Sequence, residues 1–287
     1  MCGKNRAAGK LGVCGKSAEL ALGRASLHMW EEPCISGKNG SGAVFFSGCA
    51  MKCVFCQNKE ISRKNAGENI SAGRLYEIFW ELKEKGAHNI NLITAEHFTP
   101  HILYAVSKAK CDGFDLPFIL NCGGYCKKET LKMFEGLIDI YMPDFKYITP
   151  ALAKKYSNAY DYPEYAKQTI EECVRQKPRA EIKNGLMKQG VIVRHLCLPG
   201  NILEAKKVVG YLFEKYGESI FLSIMSQFTP IEIPENYPEL NRRLKISEYE
   251  RVIEFCVKKG IKNVYIQEGS SASESFIPKF DGEGVIN

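Results

Sequence analysis

The residues best suited to chemistry are Cys49, Cys53 and Cys56, in the stretch Ser47-Gly48-Cys49-Ala50-Met51-Lys52-Cys53-Val54-Phe55-Cys56-Gln57-Asn58, just after the apolar run Ala43-Val44-Phe45-Phe46. Thiolates spaced C-x3-C-x2-C on a short loop can hold three corners of a cubic iron–sulfur cluster, because soft sulfur suits iron and the loop can wrap the cube. The fourth iron then has no protein ligand. An open iron lets a small molecule chelate and receive an electron, which points to an enzyme. The alternatives are a zinc site or three unrelated buried cysteines, although zinc normally wants four ligands in two pairs. An iron–sulfur electron carrier with no substrate is an alternative of another class.

Further polar residues fall where apolar runs end. Thr94-Ala95-Glu96-His97 ends one run, and the Thr94 hydroxyl with local carbonyls could accept from an ammonium; His97 reads equally as a solvent-facing loop residue. Asn121-Cys122-Gly123-Gly124-Tyr125 ends the next, where Cys122 and Cys126 read as structural for want of partner ligands. Asp144 and Lys146 are two apart, so on a strand they point the same way and can present a carboxylate and an ammonium to one ligand, or else form an exposed salt bridge with each other. Arg194 and His195 interrupt an apolar run and are costly to bury unpaired, which predicts contact with a bound anion such as a carboxylate, a histidine satisfied within the core being the alternative for His195. Gln227 closes a later run. Phe55 can cover one face of an adenine or simply roof the cluster.

These positions require a regular framework. Unbroken apolar, β-rich runs at 43–47, 89–94, 117–122, 139–145, 191–198, 220–227 and 263–267 read as strands buried on both faces. Helical stretches at 72–85, 100–110, 127–135, 151–156 with 165–176, 203–216 and 247–259 alternate with them, Ser71 serving as an N-cap and Pro100 standing in a first turn. Strand then helix, repeated, predicts an α/β fold with a parallel sheet and right-handed crossovers, whose reactive groups gather at the carboxyl ends of the strands. No Gly-x-Gly-x-x-Gly and no Gly-x-x-x-x-Gly-Lys-Ser/Thr opens any of the helices, which argues against a Rossmann or nucleoside-triphosphate site. Residues 1–42 read as an irregular N-terminal extension with at most a short strand near 25–29, 43–268 as the main domain, and 269–287 as a tail of turn composition. That tail carries Phe276 and Phe280 and either folds back across the strand ends or covers an edge.

Composition narrows the classes. The 287 residues are 45% hydrophobic, enough for one large α/β core. Lys plus Arg 39 against Asp plus Glu 33 gives 39 − 33 = +6, scattered along the chain, which does not argue for nucleic acid. With no apolar run near ~18 residues and no charged-then-apolar leader, neither a membrane span nor a secretory signal is expected, and the compartment is read as cytoplasmic. The 12 cysteines are then thiols and not disulfides, with Cys111, Cys173, Cys197 and Cys256 read as packing residues.

C-x3-C-x2-C with Phe55 before the last cysteine, at the end of a strand early in a β/α chain, resembles the signature of the radical S-adenosylmethionine superfamily. The resemblance implies a partial (β/α)6 barrel and a [4Fe-4S] cluster whose open iron binds S-adenosylmethionine through its amino and carboxylate groups. One electron then splits the sulfonium into methionine and a 5′-deoxyadenosyl radical, which takes a hydrogen atom from the substrate. It further implies that Phe55 lies on the adenine, with backbone groups of Gln57 and Asn58 on the base. Most relatives carry Gly-Gly-Glu where this chain has Thr94-Ala95-Glu96, so Thr94 and Glu96 are the implied contacts of the methionine amino group. Asp144-Phe145-Lys146 resembles the Asp-Leu-Lys of glycyl-radical activating enzymes, where it contacts the cofactor. Asn121, Met142 and Asp144 are implied holders of an alkali cation beside its carboxylate, the family usually having Asp at the place of Asn121. Gln227 stands where relatives place a polar residue against the ribose.

Two further features, Thr-x-x-His-Phe at 94–98 and the segment from Cys2 to Cys14, resemble a group similar to the pyruvate formate-lyase activating enzyme. That group usually has further cysteines upstream, so Cys2, Cys14 and Cys34 are either the remnant of a second metal site or part of one. The implied reaction is hydrogen abstraction from a glycine of a glycyl-radical enzyme, or from a peptide or small metabolite, with flavodoxin or ferredoxin as reductant.

Overall fold

The expected strands are all present in the computed structural model, which describes residues 3–64, 66–267 and 277–286. They are β1 (Ala21–His28), β2 (Ser41–Phe46), β3 (Glu68–Asn69), β4 (Ile90–Ile93), β5 (Phe118–Cys122), β6 (Ile140–Pro143), β7 (Glu181–Lys183), β8 (Leu186–Leu196), β9 (Phe221–Met225) and β10 (Val264–Ile266). The helices are α1 (Pro33–Ser36), α2 (Lys59–Ser62), α3 (Ala72–Glu84), α4 (Thr99–Cys111), α5 (Lys128–Lys132), α6 (Pro150–Ser157), α7 (Tyr162–Gln176), α8 (Ile202–Tyr216) and α9 (Ile246–Lys258). Ser71 caps α3 by accepting from the Arg74 amide at 3.0 Å, and Pro100 stands in the first turn of α4.

Among the described residues the sheet runs β10-β9-β8-β6-β5-β4-β2-β1-β3 and does not close. From β10 to β2 every neighbouring pair is parallel. The two faces are buried differently. Val44, Phe46, Leu92, Leu120, Tyr141, Val193 and Ile224 pack against the long helices, while Ile119, Ile140, Met142 and Ile192 turn inward around Cys34 and Ile35 of α1. A sheet face without a layer of long helices has to bury its side chains against itself, so the strands wrap around an interior plugged by α1.

Several features differ from the sequence reading. The short strand expected in the N-terminal extension begins earlier, at Ala21, and pairs antiparallel with β2. β8 starts at Leu186 as the second arm of a hairpin with β7, turned by Asn184 and Gly185 at φ 53° and 78°; Asn-Gly is the dipeptide such a turn favours. Cys173, Cys197 and Cys256 are buried as expected, whereas Cys111, at the last turn of α4, is exposed. Cys14 joins the cluster loop, its carbonyl accepting from the Cys49 amide at 3.2 Å, and Cys34 lies in the plugged interior; these two do not share a site, and Cys2 lies outside the described residues. Phe276 also lies outside them. The segment 277–286 covers the sheet edge: Arg24 of β1 pairs with Asp281 and Glu283, and Phe280 packs edge-on to Phe45 at 5.5 Å. No helix among the described residues is long and apolar enough to cross a membrane.

One glycine places the site. Gly124, after β5, has φ +77°, and a Cβ there would stand 2.1 Å from the Asp144 carbonyl oxygen. Gly124→Ala is expected to cost at least about 2 kcal/mol, combining left-handed backbone with a clash against main chain. The urea midpoint of the purified variant measures it, and a midpoint at the parent value would deny the close approach.

Candidate active site

The carboxyl ends of the parallel strands open onto a cavity of about 240 Å³. Cys49, Cys53, Cys56, Phe55, Asn58, Thr94, Asn121, Asp144, Lys146, Arg194 and Gln227 all line it. Of the other predicted site residues, Glu96, Met142 and His195 do not line it.

The cluster loop leaves β2 through Gly48, at φ +91°, where a Cβ would meet the Cys14 carbonyl at 2.8 Å and the Lys16 side chain at 2.7 Å. Ser157 donates to Cys53 Sγ at 2.9 Å and Ser62 to Cys56 Sγ at 3.3 Å. Arg63 donates to the carbonyls of Lys52 and Cys53. Burial pushes the Cys49 thiol up to about 12, and the adjoining Cys53 and Cys56 add to the effect. Burial also raises the Cys53 thiol, against the opposing pull of Lys146. Such thiols ionise when a metal replaces the proton. Among the described residues no three His, Cys, Asp or Glu converge on a point that could hold a single metal ion. A cluster takes each sulfur at a different iron, and three cysteines on one cavity-lining loop suit that.

His97 does not face solvent. Its Nε2 donates to the Ser47 carbonyl at 2.8 Å, beside the start of the cluster loop, and its own carbonyl accepts from Arg6. Burial pushes its pKa down to about 4, leaving the ring neutral near pH 7.

Thr94 has φ +58°. A β-branched residue in the left-handed region is a strained outlier, and it stands at the first glycine of the Gly-Gly-Glu to which Thr94-Ala95-Glu96 was compared. The backbone geometry a glycine would adopt is kept, at a cost in strain. Glu96 sits behind the cavity wall with its Oε2 buried and, among the described residues, unpartnered, and burial raises its carboxyl to about 7. An orphaned carboxylate beside three thiols fits a cationic group arriving with the cofactor.

Asp144 and Lys146 pair with each other, each side chain 19% exposed. Burial alone would lower the Lys146 ammonium, but Asp144, Cys53 and Tyr162 together raise it. The Tyr162 hydroxyl accepts from the Lys146 amide and donates to the Asp144 carbonyl, both at 2.9 Å, fixing the loop. Asn121 faces the cavity, whereas Met142 is packed in the interior. Gln227 accepts from Gln267 through its Oε1 at 3.0 Å, and its carbonyl accepts from Gln57 at 2.8 Å. Phe55 packs against Phe228 and Tyr147 at 6.2 and 6.4 Å between centroids while still lining the cavity.

The pairing of Arg194 and His195 as anion contacts is corrected. Adjacent strand residues face opposite sides, and His195 turns toward the helix layer, bonded through Nδ1 to the Phe145 carbonyl at 2.8 Å. Arg194 does face the cavity, but its partners are carboxylates of the protein, Glu31 Oε2 at 3.1 Å and Glu32 Oε1 at 3.4 Å. Sequence reading missed these two, together with Ser62, Ser157 and Arg63. Only Ser62 and Arg63 left a signal, in following the cysteine motif directly.

Two expectations follow for the apo-protein. Thr94→Gly should raise the urea midpoint, by about 1 kcal/mol once the loss of 1–3 kcal/mol of strain is set against glycine's own entropy, whereas Thr94→Val, which keeps the branching, should not; the reverse order would deny the strain. Because the native pKa of Glu96 lies above its ordinary 4.5, its contribution to stability is full below that value and is lost as pH rises through about 7. Glu96→Gln should flatten stability over that window, as measured by urea unfolding at a series of pH values.

Comparison with known proteins agrees with this geometry. MJ0674 of Methanocaldococcus jannaschii is 26% identical over 245 residues, 83% of this chain and 68% of the relative. In fold, the chain resembles Streptococcus suis SuiB bound to S-adenosylmethionine, with a TM-score of 0.54 at 12% identity over 78% of this chain and 49% of SuiB. It also resembles SuiB bound to precursor peptide SuiA, with a TM-score of 0.53 at 11% identity over 78% and 47%. The chain spans about half the length of these solved structures, and the likeness is one of fold. A model described as the Radical SAM superfamily matches residues 43–203, more than half of the 287. That family implies a [4Fe-4S] cluster and S-adenosylmethionine. Since the matched span starts at the strand that delivers the three cysteines and runs past Arg194, taking in all but the last strand ends of the cavity, the chain belongs to the radical S-adenosylmethionine superfamily.

Proposed function

We propose that this chain cleaves S-adenosylmethionine at a [4Fe-4S] cluster held by Cys49, Cys53 and Cys56 and uses the product radical on a hydrogen donor bound in the same cavity. Three thiols facing a lined cavity carry this reading; an electron carrier has no use for such a space. Once bound, cluster and cofactor supply the hard step, a one-electron cleavage of the sulfonium to methionine and a 5′-deoxyadenosyl radical that takes a hydrogen atom.

The protein's own residues bind and orient. Glu96 loses its proton when an ammonium arrives, which supplies its missing partner, and Thr94 presents backbone and hydroxyl to the same group. Lys146 and Asp144 address the carboxylate end, with Asn121 and Asp144 as oxygen donors for an alkali cation. Phe55 and Asn58 hold the base and Gln227 the ribose. Ser62 and Ser157 donate to ligand sulfurs, which steadies negative charge on the thiolates.

The finer assignment is the donor. Asp144-Phe145-Lys146 supports a glycine of a partner protein, and hence activation of a glycyl-radical enzyme, with flavodoxin or ferredoxin as the electron source. The carboxylates around Arg194 favour a second reading, a peptide or small metabolite. Anaerobic reconstitution should give about four iron and four sulfide per chain, and reduction with dithionite in the presence of S-adenosylmethionine should release 5′-deoxyadenosine. Cys53→Ala should abolish the release; cleavage that survives this substitution would remove the cluster assignment. Deuterium passing from a labelled candidate into 5′-deoxyadenosine identifies the donor.

A further inference from the structure

Arg194 is more than neutralised by the protein. Its Nη1 lies 3.1 Å from Glu31 Oε2 and its Nε lies 3.4 Å from Glu32 Oε1, the latter without the alignment of a hydrogen bond. Both glutamate side chains are 5% exposed, and Glu31 and Arg194 line the cavity. The other charges there do not restore balance. Asp144 and Lys146 cancel each other, and Lys52 stands on the cluster loop with its side chain at the surface. His28 is neutral near pH 7, since burial and then Arg194 and Arg24 push it down to about 4. Arg24 is itself engaged by Asp281 and Glu283. At this wall two buried carboxylates face one guanidinium.

A second observation is independent of that count. Asn91 is fully buried on β4, two residues before the cavity-lining Ile93 and so on the same inner face. Its Nδ2 donates to Glu31 Oε1 at 3.0 Å, while its Oδ1 has no partner among the described residues. Glu32 Oε2 has none either. Buried acceptors left unpaired are expensive. Neither residue lines the cavity itself, but Asn91 bonds Glu31 and Glu32 lies against Arg194, both of which do, so a group at this wall with several N–H donors and a positive charge would answer them. Burial also raises the Glu31 carboxyl, against the pull of Arg194, as for an acid short of cationic partners.

We propose that this wall receives an ammonium or guanidinium on an aliphatic stem, belonging to the hydrogen donor, with Glu31 as its charge partner. Phe45, Met225 and Ile277 line the same cavity and suit the stem. The inference rests on the reading that the radical chemistry takes place in this cavity. It excludes a neutral glycine as the group recognised at this wall.

The test is calorimetric titration of reconstituted, unreduced protein, with and without saturating S-adenosylmethionine, so that the ammonium and sulfonium of the cofactor cannot account for the signal. The probes are pentylamine, agmatine, pentanoate and pentanol, together with a glycine-flanked arginine peptide and its citrulline counterpart. The cations should bind at least about tenfold more tightly than pentanoate or pentanol, and Glu31→Gln should lower their affinity by about tenfold. Stronger binding of the arginine peptide than of agmatine assigns the cation to a peptide, and the opposite order to a small molecule. Equal binding of amine, acid and alcohol, a preference for the acid, or no binding of any cation overturns the proposal. The selectivity of the unaltered protein decides even if the variant does not fold. Failure of the earlier reading is a different result, the absence of 5′-deoxyadenosine under reduction.

Discussion

Three thiols within one buried loop set the terms for everything around them. Cys49 and Cys53 resist ionisation because burial penalises the thiolate, and neighbouring thiolates add to the effect. A metal cluster resolves the conflict by replacing protons with iron. The rest of the loop's environment works in the same direction: hydroxyls of Ser62 and Ser157 on two of the sulfurs, the ammonium of Lys146 near Cys53, and Arg63 and His97 holding main-chain carbonyls. The loop's position follows from β2, which lies inside the sheet between β1 and β4.

The N-terminal extension contributes more than cover. Its strand β1 pairs with β2, its segment at Cys14 braces Gly48, and its Glu31 and Glu32 reach into the interior to meet Arg194. The residues proposed to face the cofactor thus come from the β/α strand ends, and another part of the cavity wall comes from a segment that the β/α repeat does not contain. Within one fold the substrate side can then vary while the cofactor side stays as it is.

Much of this was legible in the sequence because it is local. Apolar runs marked each parallel strand, the cysteine spacing marked the loop, and Asp144 and Lys146, two apart, do share a face. What could not be read depends on partners distant in the chain. Arg194 signalled that an anion was needed, but nothing near it said that the anion was Glu31, 163 residues away. The error over His195 was avoidable, since strand alternation forbids it from sharing a direction with Arg194. The Asn184-Gly185 turn carried a hairpin signal that the apolar run after it obscured. The left-handed backbone of Thr94 was beyond sequence reasoning, because propensity argues against it and only the surrounding packing enforces it.

The clasp between Arg24 and the carboxylates Asp281 and Glu283 joins residues more than 250 apart. Segments so distant meet only after the intervening chain has condensed, and ion pairs at the surface add little to hold them. Ile277 and Pro278, which line the cavity, therefore take their place only where the two ends of the chain have met, so one wall of the thiol chamber is finished by contacts made across the whole length of the sequence.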